Sequence, residues 1–577
     1  MTQISQEILD KAASWMSNDV DAQTQAEVKA LLENDPKLFL ESFYTDLDFG
    51  TGGLRGIMGV GTNRINKYTI GIATQGLANY IKKQFPNQTS KVAIAYDSRN
   101  QSSFFARVTA DVLSANGIEV HLFSELRPTP LLSFAVRELG CQSGVVITAS
   151  HNPKEYNGYK VYWEDGAQVL PPHDKGIIQE VRAVKGVTDV KWEANASLIH
   201  AISDDVENAY LQKLNDIILS KEEIKSANNL KVVYTSIHGT GITMVPKALN
   251  ALGFANLLIV ESQAVADGNF PTVHSPNPEE KEALQLALDL AKAENADLVL
   301  GTDPDADRVG IAVRDDRGEL ILLNGNQTGS LLVYYQIMRR NQKGMMKGNE
   351  YVAKTIVTTD LIEDIAREHG IPWYDTLTGF KYIAGVMREK EGKEFFIGGG
   401  EESYGYLVGE FVRDKDAVLS SVVIAEMAAW ASAHGLSLYE MLMNIYDQYG
   451  LYHEELVSIT IKGMDGVEKI KQMMIDLRTN PPKELGGSAV VEIRDISNSS
   501  AKNLVTGETR ALDLPSSNVL QFVLADGSKI SARPSGTEPK IKFYFSIKEK
   551  FEGKANYRTQ VSRIKDRINA IKEQVVN

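Results

Sequence analysis

An α/β chain ending in an α+β segment is what the sequence predicts, and three observations carry that expectation. Short apolar runs of strand length alternate with stretches of helical spacing from Val92 onward, the pattern of βα units on a mostly parallel sheet. The same order of runs returns at 230–301 and at 351–399, so three units share one grammar. Beyond residue 450 the alternation stops and strand-like runs dominate. The expected division is 1–210, 211–323, 324–450 and 451–577, which suits about 100–200 residues per domain. No low-complexity linker separates these segments, so they are expected to pack around a shared cleft.

Taken in order, the first forty residues have helical spacing, with Ile8, Ala12 and Trp15 on one face, and read as a packing extension. A glycine-rich loop, Phe49–Gly56, follows. The first α/β unit has strands at 92–96, 118–123 and 144–148, with helices between them; Pro130 suits a first helical turn. The second has strands at 230–236, 257–260 and 298–301 and a long helix at 279–294. The third has strands at 351–359, 373–376 and 395–399. The last segment has strands near 454–460, 489–493, 519–524, 528–532 and 541–547, with helices near 465–477 and 556–574.

Composition narrows the function. Charged residues make up 24% and hydrophobic residues 43%, which fits a folded globular chain rather than a disordered one. With 61 Lys+Arg against 75 Asp+Glu, the net charge of −14 argues against a protein that coats nucleic acid. The single cysteine, Cys141, allows no internal disulfide and no cysteine-based zinc site, and a reducing cytoplasm is the expected location. The start is polar and acidic, unlike a signal peptide, and no run of about 18 apolar residues suggests a membrane span.

Asp303, Asp305 and Asp307 are the sharpest chemical feature. They follow the apolar run Leu298–Leu300, and in an extended loop alternate side chains point the same way. Three such carboxylates repel one another unless a cation joins them, and hard oxygen ligands suit Mg²⁺ or Mn²⁺. An EF-hand register from Asp303 fails, because its sixth and twelfth positions are Arg308 and Arg314. A haloacid-dehalogenase pattern is weakened by Asp307 at its fifth position.

Ser150 lies in Thr148-Ala-Ser-His-Asn-Pro153, just after a strand, and no Gly-x-Ser-x-Gly elbow surrounds it. A serine needs help to act as a nucleophile, and His151 and Lys160 are near in sequence. Arg533-Pro-Ser-Gly-Thr-Glu-Pro-Lys540 combines an arginine fork, two hydroxyls and a glycine amide, a suitable phosphate cradle. Residues 531–577 carry 11 Lys+Arg against 5 Asp+Glu, which favours an anion pocket there. Gly400–Gly405 offers adjacent acceptors and a hydroxyl for sugar hydroxyls, and Arg413 and Lys415 could hold a charged group nearby. There is no Gly-Lys-Ser/Thr, and no glycine loop completes Gly-x-Gly-x-x-Gly, so neither ATP nor NAD is indicated.

Together these motifs resemble the α-D-phosphohexomutase superfamily, in the family's order and over about residues 49–545. Phe49–Gly56 resembles its arginine loop, 148–153 its phosphoserine loop and 301–308 its metal loop. Residues 400–405 resemble its sugar loop and 533–540 its phosphate loop. Asn324–Gly329 and Asp375–Lys381 resemble the phosphoglucomutase and phosphopentomutase branch.

The resemblance implies a four-domain architecture, three related α/β domains plus a C-terminal α+β domain around a central cleft. It implies reversible transfer of phosphate between the 1- and 6-positions of glucose, with phosphopentose or phosphomannose mutation, or sugar-phosphate hydrolysis, as alternatives. Ser150 would carry the phosphate and, with Asp303, Asp305 and Asp307, bind Mg²⁺; glucose 1,6-bisphosphate would be intermediate and activator. Arg55, His151 and Lys160 would surround the transferring group. Arg308, Gly379, Lys381, Glu401, Ser403 and Lys415 would bind substrate, and Arg533, Ser535, Gly536 and Thr537 the unreactive phosphate. Some relatives carry a histidine after the third-domain glycine where this chain has Phe380-Lys381, so the general base stays open among His151, Lys160 and Lys381. A small phosphosugar is the expected partner, with neither nucleic acid nor membrane, and the protein is expected to be a monomer or homodimer.

Overall fold

The structure is a computed structural model that describes residues 4–50, 52–227, 229–461, 466–535 and 540–576. The chain forms two compact units. The first comprises Met1–Gly325, Phe380–Gly398 and Ser403–Gly435, and the second Asn326–Gly379, Gly399–Glu402 and Leu436–Asn577.

The first unit opens with three helices, Gln6–Ser14, Ala22–Asn34 and Pro36–Phe43. The Asp35-Pro36 step explains the last break. Asp35 ends the second helix, its side chain accepts from the Leu38 amide at 3.0 Å, and Pro36 takes the first turn of the third. The expected apolar face is real. Ala12 and Trp15 are buried with Val28, Phe39, Phe43 and Tyr68, and Ile8 packs against them.

Behind these helices lies a six-stranded sheet in the order Gly53–Ile57, Tyr156–Trp163, Ser143–Ile147, Lys91–Tyr96, Glu119–Leu122, Ile199–Ala201. The last four strands are parallel to one another. The first two are antiparallel to their neighbours, so three of the five pairings are parallel and the sheet is mostly parallel with an antiparallel edge. The reason is local. Residues 148–155 are too few for a crossover helix, so the chain must turn back beside the strand it has left. The glycine-rich segment at 49–56 also proves to be half strand. Gly53 pairs with Lys160, and a Cβ at Gly53 would lie 1.7 Å from the Tyr159 carbonyl oxygen, so only glycine admits that approach.

The second sheet repeats the plan. Leu257–Ile259, Val232–Thr235 and Leu298–Thr302 are parallel, and Val309–Arg314 and Leu320–Leu323 return antiparallel. In the second unit, Glu350–Thr355 and Trp373–Thr376 run parallel. The helix Leu438–Tyr449 starts from a capping box between Ser437 and Glu440.

The C-terminal sheet is antiparallel throughout and is accompanied by helices Gly466–Thr479 and Tyr557–Val576, as an α+β segment requires. Its short strands at Ser500–Asn503 and Thr509–Ala511 carry no alternation long enough to predict. No single helix among the described residues is long and apolar enough to cross a membrane.

Candidate active site

Ser150 and the aspartate trio lie far apart in sequence and meet in the first unit. The Ser150 hydroxyl donates to Asp303 Oδ2 at 2.8 Å, and both residues are buried. Each sits on a loop that joins a parallel strand to the antiparallel strand beside it. Ser150 has φ +52°, and Ala306 has φ +51° in the middle of the aspartate loop. That loop is therefore a tight turn, not the extended segment expected. The carboxylates converge because the backbone folds back at Ala306, and the Asp307 and Arg308 amides both donate to Asp303 Oδ1 at 3.1 Å.

One oxygen from each of the three aspartates lies within 4.8 Å of the others. Asp305 Oδ1 and Asp307 Oδ1 are buried without a hydrogen-bond partner. Buried carboxylate oxygens are normally satisfied, and a hard divalent cation is the group that this all-oxygen set suits. The aspartate trio is thus a possible metal site.

Two lysines take the opposite oxygens. Lys160 Nζ lies 2.7 Å from Asp305 Oδ2 and 3.4 Å from Asp307 Oδ2; Lys415 Nζ lies 3.1 Å from Asp307 Oδ2. Lys160 is 8% exposed on the strand Tyr156–Trp163, so it is neither a loop residue nor a surface lysine. The charges split the aspartates. Burial, with repulsion from Asp305 and Asp307, pushes Asp303 well above the usual carboxylate range. Burial acts on Asp305 too, but Lys160 outweighs it and holds that carboxyl low. Asp307 is also held low, against burial and Asp305, by Lys415 and Lys160. Lys160 is in turn raised, because Asp305 and Asp307 overcome its burial.

His151 Nδ1 lies 3.3 Å from Ser150 Oγ. Burial, then the cations of Arg308 and Arg55, lower its pKa well below the usual histidine value, so the ring is neutral at pH 7. Arg55 is exposed on the strand Gly53–Ile57, 3.5 Å from Asn152 Oδ1. Arg308 donates to Glu279 Oε1 and to the Ser403 carbonyl, each at 3.0 Å, so the aspartate loop and Ser403 are joined within the first unit. Lys381 also lies in this unit, with its Nζ 5.4 Å from the Tyr382 ring centroid. Arg413 is 2% exposed and donates to Oε1 of the half-exposed Glu391 at 2.8 Å.

The second unit holds Glu401, Gly379, Arg533 and Ser535. Glu401 Oε1 accepts from the Gly379 amide at 2.9 Å, and Gly379 has φ +117°, which favours glycine. Glu402 accepts from Thr355 at 3.1 Å and from Thr358 at 3.2 Å. Arg533 lies on the strand Lys529–Pro534 opposite Lys542, and the Ser535 amide donates to the Lys540 carbonyl at 2.7 Å. Gly536 and Thr537 lie outside the described residues.

Sequence reasoning missed the residues that hold these groups. Thr129 donates to Asp305 twice, by its hydroxyl to Oδ2 at 3.0 Å and by its amide to the carbonyl at 2.8 Å. Asp414 accepts from Lys415 Nζ at 3.0 Å and from the Tyr162 hydroxyl at 2.6 Å, which orients the lysine. Arg99 grips the Ser150 loop from below. Its signal was visible: Asp97-Ser-Arg99 ends a parallel strand, where α/β sheets place their sites.

Comparison with known proteins gives consistent likenesses. The sequence matches three family profiles in series: phosphoglucomutase/phosphomannomutase alpha/beta/alpha domain I over 46–187, domain II over 208–318 and domain III over 324–449. It is 40% identical over 511 residues to a phosphoglucomutase of Staphylococcus aureus, covering 88% of this chain and 91% of that one. A phosphoglucomutase of Staphylococcus haemolyticus is 38% identical over 508 residues, with the same coverage. Among solved structures, the open form of the Paramecium exocytosis-sensitive phosphoprotein pp63/parafusin, a phosphoglucomutase, superimposes with a TM-score of 0.66 at 19% identity. That match covers 92% of this chain and 96% of the other, and it shows a shared fold.

Proposed function

The chain belongs to the phosphoglucomutase/phosphomannomutase family, and from that premise we propose that it interconverts glucose 1-phosphate and glucose 6-phosphate through a phosphoserine at Ser150 and glucose 1,6-bisphosphate. The observation that carries this reading is the 2.8 Å contact between the Ser150 hydroxyl and Asp303, beside two buried carboxylate oxygens without a hydrogen-bond partner.

In the first half-reaction the P–O bond to Ser150 Oγ breaks and a P–O bond forms to a sugar hydroxyl. The hydroxyl proton leaves to a protein base, and Ser150 Oγ regains a proton. The bisphosphosugar then returns its other phosphate to Ser150 by the same exchange in reverse. Such a transfer spreads charge over the equatorial phosphoryl oxygens, so catalysis rests on positioning and fixed charge. Neutral His151, 3.3 Å from Ser150 Oγ, is suited to accept the proton. Lys160, held charged by Asp305 and Asp307, is suited to stabilise the anion and stands beside His151 as the second acid/base candidate. Arg55 would share that charge. Mg²⁺, held by Asp303, Asp305, Asp307 and the Ser150 phosphate, would polarise the phosphoryl oxygens.

For the other residues we propose sugar contacts from Glu401, Ser403, Arg308, Gly379, Lys381 and Lys415. Phosphate contacts would come from Arg533, Ser535, Gly536 and Thr537. For the domains we propose the limits 1–210, 211–323, 324–450 and 451–577, the first of which falls inside the helix Asp204–Ile217. A cytoplasmic monomer or homodimer fits a chain whose one thiol is unpaired and buried.

Turnover of glucose 1-phosphate with catalytic glucose 1,6-bisphosphate tests the reading. Ser150→Ala should lose at least ~10³-fold in kcat, and near-normal mutase activity in that variant would reject it. Comparing kcat/KM on glucose, mannose and ribose 1-phosphates assigns the sugar. Free phosphate without isomerisation would instead mark a phosphatase.

A further inference from the structure

We propose that Arg99 is a positioning residue for the reaction, holding the Ser150 loop in its reactive shape and linking it to the aspartate loop. Its side chain is fully buried and spends its donors on four carbonyls of one turn. Nη2 donates to the Ser150 carbonyl at 2.6 Å and to that of Asn152; Nη1 donates to Pro153 at 2.8 Å and to Tyr156 at 3.0 Å. No other side-chain type presents a planar fork that reaches so many acceptors at once. The charge is balanced from behind. Arg99 Nε lies 3.4 Å from Asp97 Oδ2, while Asp97 Oδ1 accepts from the Arg99 amide at 2.9 Å and the Ser102 hydroxyl at 2.7 Å.

The first carbonyl so gripped belongs to a strained residue. Ser150 at φ +52° lies in a region costly for a side chain other than glycine, and such strain persists only where the surroundings over-determine it. With its carbonyl tied to Arg99 and its amide donating to Thr148 Oγ1 at 2.8 Å, the Ser150 backbone is held where its hydroxyl reaches Asp303 and His151.

The same guanidinium continues toward the aspartates. The Phe270 ring lies over it, 5.1 Å from Cζ, and a Cβ at Gly268 would lie 2.2 Å from the Asn100 amide, so the 268–270 turn is pressed onto the Arg99 loop. That turn is tied to His238 by the Asp267 amide. Two residues on, the Thr240 amide donates to the Pro304 carbonyl at 2.8 Å, and a Cβ at Gly239 would lie 2.5 Å from Pro304 Cα. Gln101, Ser150, Ile237, His238, Phe270 and Ala306 all have positive φ along this path. Strain is thus gathered where the serine and aspartate loops must keep register.

This inference rests on the proposal that Ser150 is phosphorylated, and the experiment separates the two. Arg99→Lys keeps a charge beside Asp97 but loses the fork. Transfer of phosphate from glucose 1,6-bisphosphate to dephosphorylated enzyme is followed in a single turnover by intact mass and peptide mapping. We expect the Ser150 labelling rate to fall about 10²-fold, as a misplacement of about 1 Å can cost, with KM for glucose 1-phosphate changed less than about threefold. Guanidinium ion should restore part of the rate in Arg99→Ala, which a merely structural role would not allow. A wild-type chain that never labels Ser150 defeats the functional reading. A wild-type chain that labels, beside a folded Arg99→Lys that labels as fast or loses only in KM, defeats this one. If Arg99→Lys does not fold, Asp97→Asn takes its place, with about a tenfold slower rate expected and an unchanged rate decisive against.

Discussion

Lysine 415 shows how finely a single residue is placed. Its ammonium bridges Asp414 and Asp307, and its stem fills the space that a Cβ on Gly405 would need, 2.0 Å from Lys415 Cδ. Glycine at 405 is therefore a steric requirement of the lysine and not of the turn. Gly405→Ala should push the flexible stem aside at a stability cost of about 1–3 kcal/mol, while kcat falls further than the melting temperature suggests. Measuring both on one preparation checks this; equal turnover in the variant would show that Lys415 need not touch Asp307. That the trio would matter was legible in Asp-x-Asp-x-Asp after an apolar run. That two buried lysines would claim one side of it was not, because Lys160 and Lys415 approach from distant segments.

Among elements, the repeated step is a strand, a short chemical loop and a returning strand. Residues 148–155 and 303–308 both lie between a parallel strand and its antiparallel neighbour, and 402–404 separates Phe395–Glu401 from Gly405–Leu407 in the same chain order. The repeat was readable as strand and helix runs. The antiparallel return was not, since a buried strand looks alike in either direction. The helix Asp204–Ile217 is fastened by charge: Glu207, on that helix, lies 2.6 Å from Arg127 Nε and 2.8 Å from Lys247 Nζ. Burial opposes ionisation there, but Lys247 and Arg127 overcome it and hold the carboxyl below the usual range. A depressed carboxyl stabilises the fold above its unfolded value of about 4.3 and loses that contribution as pH falls through its folded value. Glu207→Gln should therefore cost about 1–3 kcal/mol at pH 7, read from urea unfolding, with the gap from wild type constant down to about pH 4.3 and narrowing only below it. A gap independent of pH would place the effect in shape rather than charge.

For the whole molecule, Cys141 is a built-in reporter. It is 1% exposed, and burial pushes its thiol up to about 12. Its amide donates to the Val136 carbonyl at 2.8 Å, where the helix Thr129–Glu138 turns toward the strand Ser143–Ile147. Thiolate is the reactive form, so a thiol reagent at pH 8 should label native protein at least ~10²-fold more slowly than protein in denaturant. Rapid stoichiometric labelling without denaturant would show that the first sheet opens readily. The same sheet carries the Ser150 loop, so the labelling rate also reports on the platform of the site.

By itself the sequence determined what is local: three rounds of strand and helix, the α+β ending, and the loops that bear Ser150 and the three aspartates. Each follows from spacing, turn chemistry or residue type within a few positions along the chain. Only the tertiary structure decided the rest: the Ser150–Asp303 contact, the lysines on the trio, Thr129 on Asp305 and Arg99 beneath the turn. These depend on strand register and on which loops cross, and a buried charge finds its partner by position in space, which neighbours in sequence do not encode.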